Sequence, residues 1–268
     1  MRLDGKAILI TGAARGIGAA TAIVMAELGA DVGLLDINER VNETAQAARA
    51  LGRRAGAVIG DISDFEQVKK CVTAIEREIG PIHGLVNNAG IVDNIAPLAR
   101  METSAWQREL ETNLTGPFNM IRAVIPGMAE RGWGRIVNVS SAAARNGLFN
   151  QVGYSASKAG LLGLTHNVTI EYAARGITCN VVLPGLIGTE KVRTMPAAIL
   201  DRAIGISAAQ RLGEPREVGH LIAFLCSDLA AFINGAEILI DGGAAMNSIK
   251  FAGQAALGAG TIGGVSKI

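Results

Sequence analysis

The sequence predicts an α/β protein: a single doubly wound domain built on a seven-stranded parallel sheet with helices on both faces. Three observations carry this. Short apolar runs of strand length recur seven times, helix-length segments separate them, and no composition break or internal repeat interrupts the alternation. The length of 268 residues fits one large α/β domain at least as well as two small ones.

The first run, "KAILIT" at 6–11, ends in the glycine loop "TGAARGIG", after which a helical pattern begins near Ile17. The second and third runs are "DVGLLD" at 31–36 and "AGAVIGD" at 55–61. Ser63 followed by Glu66 then reads as a capping box for the next helix. "IHGLVNNAG" at 82–90, "GRIVNVSS" at 134–141, "ITCNVVLPG" at 177–185 and "AEILID" at 236–241 complete the strands. Pro215 stands where a first-turn proline belongs, in the helix before the last strand. Residues 1–249 form the domain on this reading. Residues 250–268 are rich in Gly and Ala without a clear period, and an isolated tail of that kind frays, so the expectation is an extension that packs on a neighbouring subunit.

Composition excludes several classes. The balance of 25 basic against 24 acidic residues leaves +1, so nothing draws the protein to nucleic acid or an anionic membrane. No run approaches the ~18 apolar residues of a transmembrane helix, and the short apolar run before the first glycine loop is no signal peptide. Cys71, Cys179 and Cys226 are far apart, odd in number and without metal spacing; they read as reduced thiols, with no metal site. The expectation is a soluble cytoplasmic protein acting on a small molecule. An apolar content of 49 % with only 4 % aromatics adds an expectation of surface buried in a homo-oligomer.

The loop after the first strand carries Gly12, Gly16 and Gly18, with Arg15 among them. Glycines let the backbone turn sharply and approach a pyrophosphate, and the helix start at Ile17 offers free N–H groups and a positive dipole end. The Gly-x-x-x-Gly-x-Gly spacing departs from the usual Gly-x-Gly-x-x-Gly, so the flanking strand and helix carry the reading as much as the glycines do. Asp36 closes the second strand, where a doubly wound sheet faces the adenosine ribose. A carboxylate there accepts hydrogen bonds from the ribose hydroxyls and repels a 2′-phosphate. Arg15 argues the other way, but no basic residue follows Asp36 directly, and NAD is the expected cofactor. Asp61, with Ile62 beside it, follows the third strand; Asp61 contacts adenine or helps start the next helix, two readings of equal weight.

The segment "SSAAARNGLFNQVGYSASKAG" at 140–160 places Tyr154, one of two tyrosines, four residues before Lys158. On a helix that spacing sets phenol and ammonium on one face, one turn apart. A free tyrosine ionises near pH 10, too high for an efficient base at neutrality; a neighbouring ammonium and an oxidised nicotinamide both favour the phenolate. Such a phenol can take an alcohol proton as hydride leaves the carbinol carbon, and return it in reverse.

"TGAARGIG", "NNAG" at 87–90, "NLTG" at 113–116, Ser141, "YSASK" at 154–158 and "PGLIGT" at 184–189, in that order, resemble the short-chain dehydrogenase/reductase family. The resemblance runs from about residue 5 to residue 243. It implies a Rossmann-type fold and a catalytic tetrad of Asn113, Ser141, Tyr154 and Lys158. Ser141 is chosen over Ser140 because the family places its serine thirteen residues before the tyrosine. Ser141 would hold the substrate oxygen, Lys158 would also bind the nicotinamide ribose, and Asn113 would position a water leading from Lys158 to solvent. Pro184, Gly185, Ile187 and Thr189 match the segment around the nicotinamide carboxamide. Asn88, Ala89 and Gly90 match the loop supporting the adenine end, although Asn87 and Asn88 serve equally as turn residues. The family is commonly tetrameric, with helices around 104–130 and 153–174 forming one interface.

Ile91, Val92, Ile95, Leu148, Phe149, Leu186, Met195 and Ile199 fall in the segments expected around the substrate and suit an apolar secondary alcohol or ketone, aryl-alkyl or cyclic. Glu190, Lys191 and Arg193 are expected to face solvent. NAD fits net oxidation. The alternative is a 3-oxoacyl-thioester reductase, acting on an acyl carrier protein or CoA, with Arg131 and Arg135 as a basic patch at the pocket mouth. A dinucleotide-sensing regulator is a third reading, one that needs no intact tetrad. His83, His166 and His220 fall in no motif, and Trp106 and Trp133 read as packing residues.

Overall fold

In the computed structural model, which describes residues 1–92 and 95–246, all seven expected strands form. They are β1 (Ala7–Thr11), β2 (Asp31–Asp36), β3 (Ala55–Ile59), β4 (Gly84–Asn87), β5 (Gly134–Val139), β6 (Ile177–Pro184) and β7 (Glu237–Ile240). The helices are α1 (Gly16–Glu27), α2 (Val41–Ala50), α3 (Phe65–Ile79), α4 (Thr103–Leu110), α5 (Gly116–Arg131), α6 (Ala143–Asn146), α7 (Val152–Tyr172), α8 (Glu190–Arg193), α9 (Ala197–Ile206) and α10 (Pro215–Leu225). Every strand pairing is parallel, and the sheet order is β3-β2-β1-β4-β5-β6-β7. The order reverses between β1 and β4, so a crevice opens at their carboxyl ends, where such folds bind ligands.

Period-two alternation in β1 feeds two cores. Ile8 and Ile10 face one side with Val24 and Met25 of α1 and Val218 and Ile222 of α10. Ala7 and Leu9 face the other with Val68 and Ile75 of α3 and Met120 and Val124 of α5. Gly33 of β2 lets α3 press on the sheet: a Cβ there would lie 2.3 Å from the Ile75 Cγ2.

Helix starts differ from expectation at one place. Helix α3 is capped by Asp64, whose carboxylate accepts from the Glu66 and Gln67 N–H groups. Ser63 instead donates its backbone N–H and its hydroxyl to Asp61 Oδ1, so the serine is held out of the cap position by an acid two residues earlier. The capping box occurs at α10, between Glu214 and Glu217 around the first-turn Pro215. Helices α4 and α5 join through a π-helical turn, Glu111–Thr115, which the sequence did not announce.

The three cysteines are free and buried, and among the described residues no group of His, Cys, Asp or Glu is arranged to hold a metal. No described helix is long and apolar enough to cross a membrane. The Gly/Ala-rich 250–268 segment lies outside the described residues.

A buried polar ladder ties the centre of the sheet to α7. Asn87 Nδ2 donates to Asn138 Oδ1 at 2.9 Å, Asn138 Nδ2 donates to Thr165 Oγ1 at 2.9 Å, and Thr165 Oγ1 donates to the Leu161 carbonyl. Asn138→Ala removes the middle rung and leaves a buried amide donor on Asn87 without its partner. It is expected to cost about 1–3 kcal/mol, measured as a lowered urea midpoint with an unchanged slope at fixed protein concentration.

Candidate active site

The site assembles where β1 and β4 part. Thr11, the last residue of β1, holds the two strand ends together: its Oγ1 accepts from the backbone N–H groups of Asn88 and Ala89, each at 3.1 Å. Asn88 answers with its side chain, donating Nδ2 to the carbonyls of Thr11 and Gly12, both at 3.0 Å. The clasp leaves no room for side chains. A Cβ on Gly12 would lie 2.7 Å from Ala89 Cα, and one on Gly18 would lie 2.1 Å from the Gly12 carbonyl oxygen. Gly12 and Gly16 also adopt φ of +65° and +59°, which glycine tolerates best.

Arg15 precedes α1 with extended backbone and provides no side-chain cap; the first turn holds no acid. The amino end of α1 is therefore open for an anion. Half-buried Ile17 packs on the core below it. Asp36 lies at the carboxyl end of β2, its Oδ2 accepting from Ala14 N–H and its Oδ1 from Asn38 N–H, both at 2.9 Å. Asp61 is exposed and holds the turn before α3 through Ser63, and Ile62 is buried against Gly116, so its side chain is packing.

The four residues of the expected tetrad meet at the amino end of α7. Lys158 is buried, with its Nζ donating to the Val139 carbonyl at 2.8 Å and lying 5.9 Å from the Tyr154 ring centre. Ser141 hydrogen-bonds the Tyr154 side chain, while Ser140 is buried and donates to the Lys158 carbonyl at 2.8 Å. The two adjacent serines thus face different tasks. Asn113, fully buried in the π-helical turn, accepts from Ile91 N–H at 2.7 Å and donates to the Ile91 carbonyl and to Ser157 Oγ. Its amide clamps the loop after β4, with both N–H donors engaged by protein. Gly90 completes the wall: a Cβ there would lie 3.1 Å from Lys158 Nζ and 3.2 Å from Asn113 Oδ1.

The electrostatics depart from the simple helical-pair argument. Burial pushes the Tyr154 phenol up, the Glu109 carboxylate pushes the same way, and only the Ser141 hydrogen bond opposes them. Lys158 is itself so desolvated that its ammonium is pushed down to about 8. Spacing placed the cation correctly; it could not show that both groups are buried.

The segment after β6 closes over the crevice. Gly185 N–H donates to the Ile240 carbonyl, Pro184 pairs with Ile240 in the sheet, and Ile187 is buried and bridged to Gly213. Thr189 caps α8 and sets its Cγ2 3.2 Å from where a Gly16 Cβ would be, which brings this segment onto the glycine loop. Glu190, Lys191 and Arg193 face solvent as expected, and each also has a partner. Glu190 pairs with Arg40 at 3.3 Å, Lys191 Nζ donates to the Val92 carbonyl at 3.3 Å, and Arg193 grips Glu214 and the Gly188 carbonyl. A cavity of about 250 Å³, lined by Ala96, Leu98, Leu148, Gln151 and Val152, adjoins the start of α7. Phe149, Ile95 and Ile199 stand exposed.

Arg131 and Arg135 are corrected. Arg135 lies at the amino end of β5, the opposite end of the strands from the crevice; its guanidinium is buried against the Ser227 carbonyl, and Arg131 donates to the Ile82 carbonyl. Neither reaches the pocket mouth of its own chain.

A family model described as enoyl-(acyl carrier protein) reductase matches residues 12–245. An acetoacetyl-CoA reductase of Rhizobium meliloti (strain 1021) is 42 % identical over 241 residues, 89 % of this chain and 98 % of that protein. A cis-4-hydroxycyclohexanecarboxylate dehydrogenase of Sinomonas cyclohexanicum is 40 % identical over 238 residues, 89 % of this chain and 96 % of that protein. The crystal structure of levodione reductase superposes with a TM-score of 0.88 at 34 % identity, covering 92 % of this chain and all of that one. This chain belongs to the short-chain dehydrogenase/reductase family.

A short-chain dehydrogenase/reductase is an oxidoreductase that binds a nicotinamide dinucleotide, and these residues fit one. The side-chain-free cradle at Gly12 and Gly18 and the uncapped start of α1 suit a pyrophosphate, and Asp36 closes β2 with its carboxylate bonded to the Ala14 N–H of the glycine loop. Sequence reasoning missed Thr11 as the clasp, Ser157 as the Asn113 partner, and Glu109. The first two sit inside quoted motifs; Glu109 was visible as an acid four residues before Asn113, on the face that turns inward.

Lys158→Met tests the cost of the buried cation. A lysine whose folded pKa is depressed opposes folding in full below that pKa, and the opposition vanishes above its unfolded value near 10.4. The variant is therefore expected to unfold at higher temperature than wild type at pH 7, with the difference shrinking as pH rises from about 8. Thermal unfolding across that range checks it.

Proposed function

We propose that this chain is an NAD-dependent dehydrogenase that interconverts an apolar secondary alcohol, aryl-alkyl or cyclic, and its ketone by hydride transfer. The observation that carries the proposal is the meeting of Tyr154, Ser141 and Lys158 at the crevice above the glycine cradle. The α1 amino end would hold the pyrophosphate, Asp36 the adenosine ribose, Asp61 and the 88–90 loop the adenine end, and Ile187 and Thr189 the carboxamide. Bound there, the nicotinamide accepts the substrate hydride or supplies it in reverse. Ser141 Oγ holds the substrate oxygen, and Tyr154 Oη removes its proton during oxidation or donates one during reduction. Lys158 anchors the nicotinamide ribose and presents its charge beneath the phenol.

NAD is supported by the surroundings of Asp36. Its two oxygens are fixed by backbone N–H groups, and Ile37, Asn38 and Glu39 follow it before the first base. That base, Arg40, is drawn away toward Glu190 and Glu43. Asp36→Ala is expected to cut the preference for NAD over NADP at least tenfold in kcat/KM.

An apolar substrate is supported by the uncharged wall of Ala96, Leu98, Leu148 and Val152. The names of the relatives favour a second reading, reduction of a 3-oxoacyl thioester. Initial rates with NAD and NADP, against aryl and cyclic secondary alcohols beside 3-hydroxyacyl thioesters, separate the two. Fast NAD reduction with an aryl or cyclic alcohol supports the first; preference for the thioesters overturns it. Oxidation requires the phenolate, and burial moves that ionisation upward, so oxidative kcat/KM should climb with pH through neutrality while ketone reduction declines at alkaline pH. Loss of that activity in Tyr154→Phe is expected; turnover at the wild-type rate would leave a dinucleotide sensor as the better description. Assembly as a tetramer would cover Phe118 of α5 and Ile170 of α7, both exposed in the single chain. Sedimentation velocity at micromolar concentration decides that point.

A further inference from the structure

Ser157 stands on α7 between Tyr154 and Lys158, next to the lysine, and is fully buried. A hydroxyl carries one proton, and here it goes to the Tyr154 carbonyl at 2.8 Å. The oxygen lone pairs are left to accept, and Asn113 Nδ2 donates to them at 3.1 Å from the π-helical turn. The rest of the Asn113 amide engages Ile91, accepting its N–H at 2.7 Å and donating to its carbonyl at 2.9 Å. One continuous chain of hydrogen bonds therefore runs from the main chain of the loop after β4 to the main chain of Tyr154.

The two ends of that chain lie at the site itself. In a helix the Tyr154 carbonyl also takes the N–H four residues on, that of Lys158, so Ser157 attaches at the peptide that ties the two side chains of the proposed chemistry together. At the other end Ile91 follows Gly90, whose missing Cβ would have lain 3.1 Å from Lys158 Nζ and 3.2 Å from Asn113 Oδ1. The link thus spans from the turn that carries phenol and ammonium to the wall that faces the ammonium. Nothing in the helix alone calls for a serine there: Ala has the better propensity, and a hydroxyl bonded back to its own helix adds no stability to it. Nearby hydroxyls do not duplicate the link. Ser155 Oγ is buried without a partner among the described residues, and Ser140 gives its proton to the Lys158 carbonyl from the β5 side.

We propose that Ser157 is a positioning residue for the reaction: it joins Asn113 to the Tyr154 peptide and so holds phenol and ammonium in register with the loop after β4. This rests on the role given to Tyr154 above. Only a side chain that donates and accepts at once makes both bonds. Without it the Asn113 amide loses one partner and the first turns of α7 are free to shift against Gly90 and Ile91. Ser157 is enclosed by protein, so its loss changes alignment and leaves the binding contacts in place. Misalignment raises the barrier to transfer, which lowers kcat more than it alters KM.

The experiment compares Ser157→Ala with Ser157→Cys, which fills the site with a weaker hydrogen-bonding group, using the fastest alcohol of the panel above and NAD. Both variants are expected to lower kcat about tenfold or more, with KM for alcohol and for NAD within about threefold of wild type. In an Asn113→Ala background, assayed at high enzyme concentration, Ser157→Ala is expected to cost less than about twofold further, because the link is already broken. Thermal unfolding identifies which variants are folded. A folded Ala or Cys variant with kcat within about twofold of wild type overturns the proposal. So does an equal loss in both backgrounds, since a serine that merely stabilises α7 acts independently of Asn113. Full turnover in Tyr154→Phe would instead overturn the functional reading, whatever the Ser157 variants show.

Discussion

The clasp between Thr11 and Asn88 is the constraint on which the site depends. A parallel sheet whose order reverses must bring two strand ends close together, and here the gap is spanned by four hydrogen bonds at 3.0–3.1 Å between a hydroxyl, an amide and the neighbouring backbone. Nothing larger than hydrogen fits at positions 12 and 18, because the neighbouring atoms are backbone and cannot turn aside. The same closeness leaves the amino end of α1 bare, and Thr189 brings the segment after β6 onto Gly16. Anion site, adenosine edge and cover are thus set by one local approach of two strands.

Above that clasp the protein keeps polar groups where packing alone would favour apolar ones. Asn113, Lys158 and Glu109 are each less than a twentieth exposed, and they differ in how they are satisfied. The Asn113 side chain makes three hydrogen bonds to two residues, the Lys158 ammonium one, and the Glu109 carboxylate none among the described residues. A residue that holds a loop must be fully bonded, whereas a buried polar group left without partners carries its desolvation cost uncompensated.

The sheet was readable in the sequence because each strand is an apolar run bounded by Gly, Asp or Asn, and β1 through β7 formed where those runs lie. That Asn113, Ser141, Tyr154 and Lys158 converge was readable through spacing and resemblance. What escaped were relations that spacing does not encode. Ser63 has the spacing of a cap but is held by Asp61; the π-helical turn at Glu111–Thr115 has no composition signature; and Arg131 and Arg135, at the end of α5 and the start of β5, are bonded to the Ile82 and Ser227 carbonyls away from the crevice. Each error concerns which neighbour a polar side chain meets, a property of the assembled chain.

The cover over the crevice shows why those neighbours matter for chemistry. Glu190 reaches Arg40 beyond β2, Lys191 reaches the Val92 carbonyl beyond β4, and Arg193 is anchored to Glu214 at the start of α10. One short helix, α8, is therefore tied to three separate parts of the rim. The Arg40 and Arg193 pairs are exposed, so each stabilises little alone and is weakened by salt. Their geometry nevertheless couples the adenosine edge to the substrate side. With Arg40 held toward Glu190 its charge is turned away from the Asp36 end of β2, so the proposed preference for an unphosphorylated ribose would be linked to the placement of α8. Under the proposed NAD preference, cofactor choice would be a property of the ion pair and the carboxylate together, with the acid at position 36 only half of it.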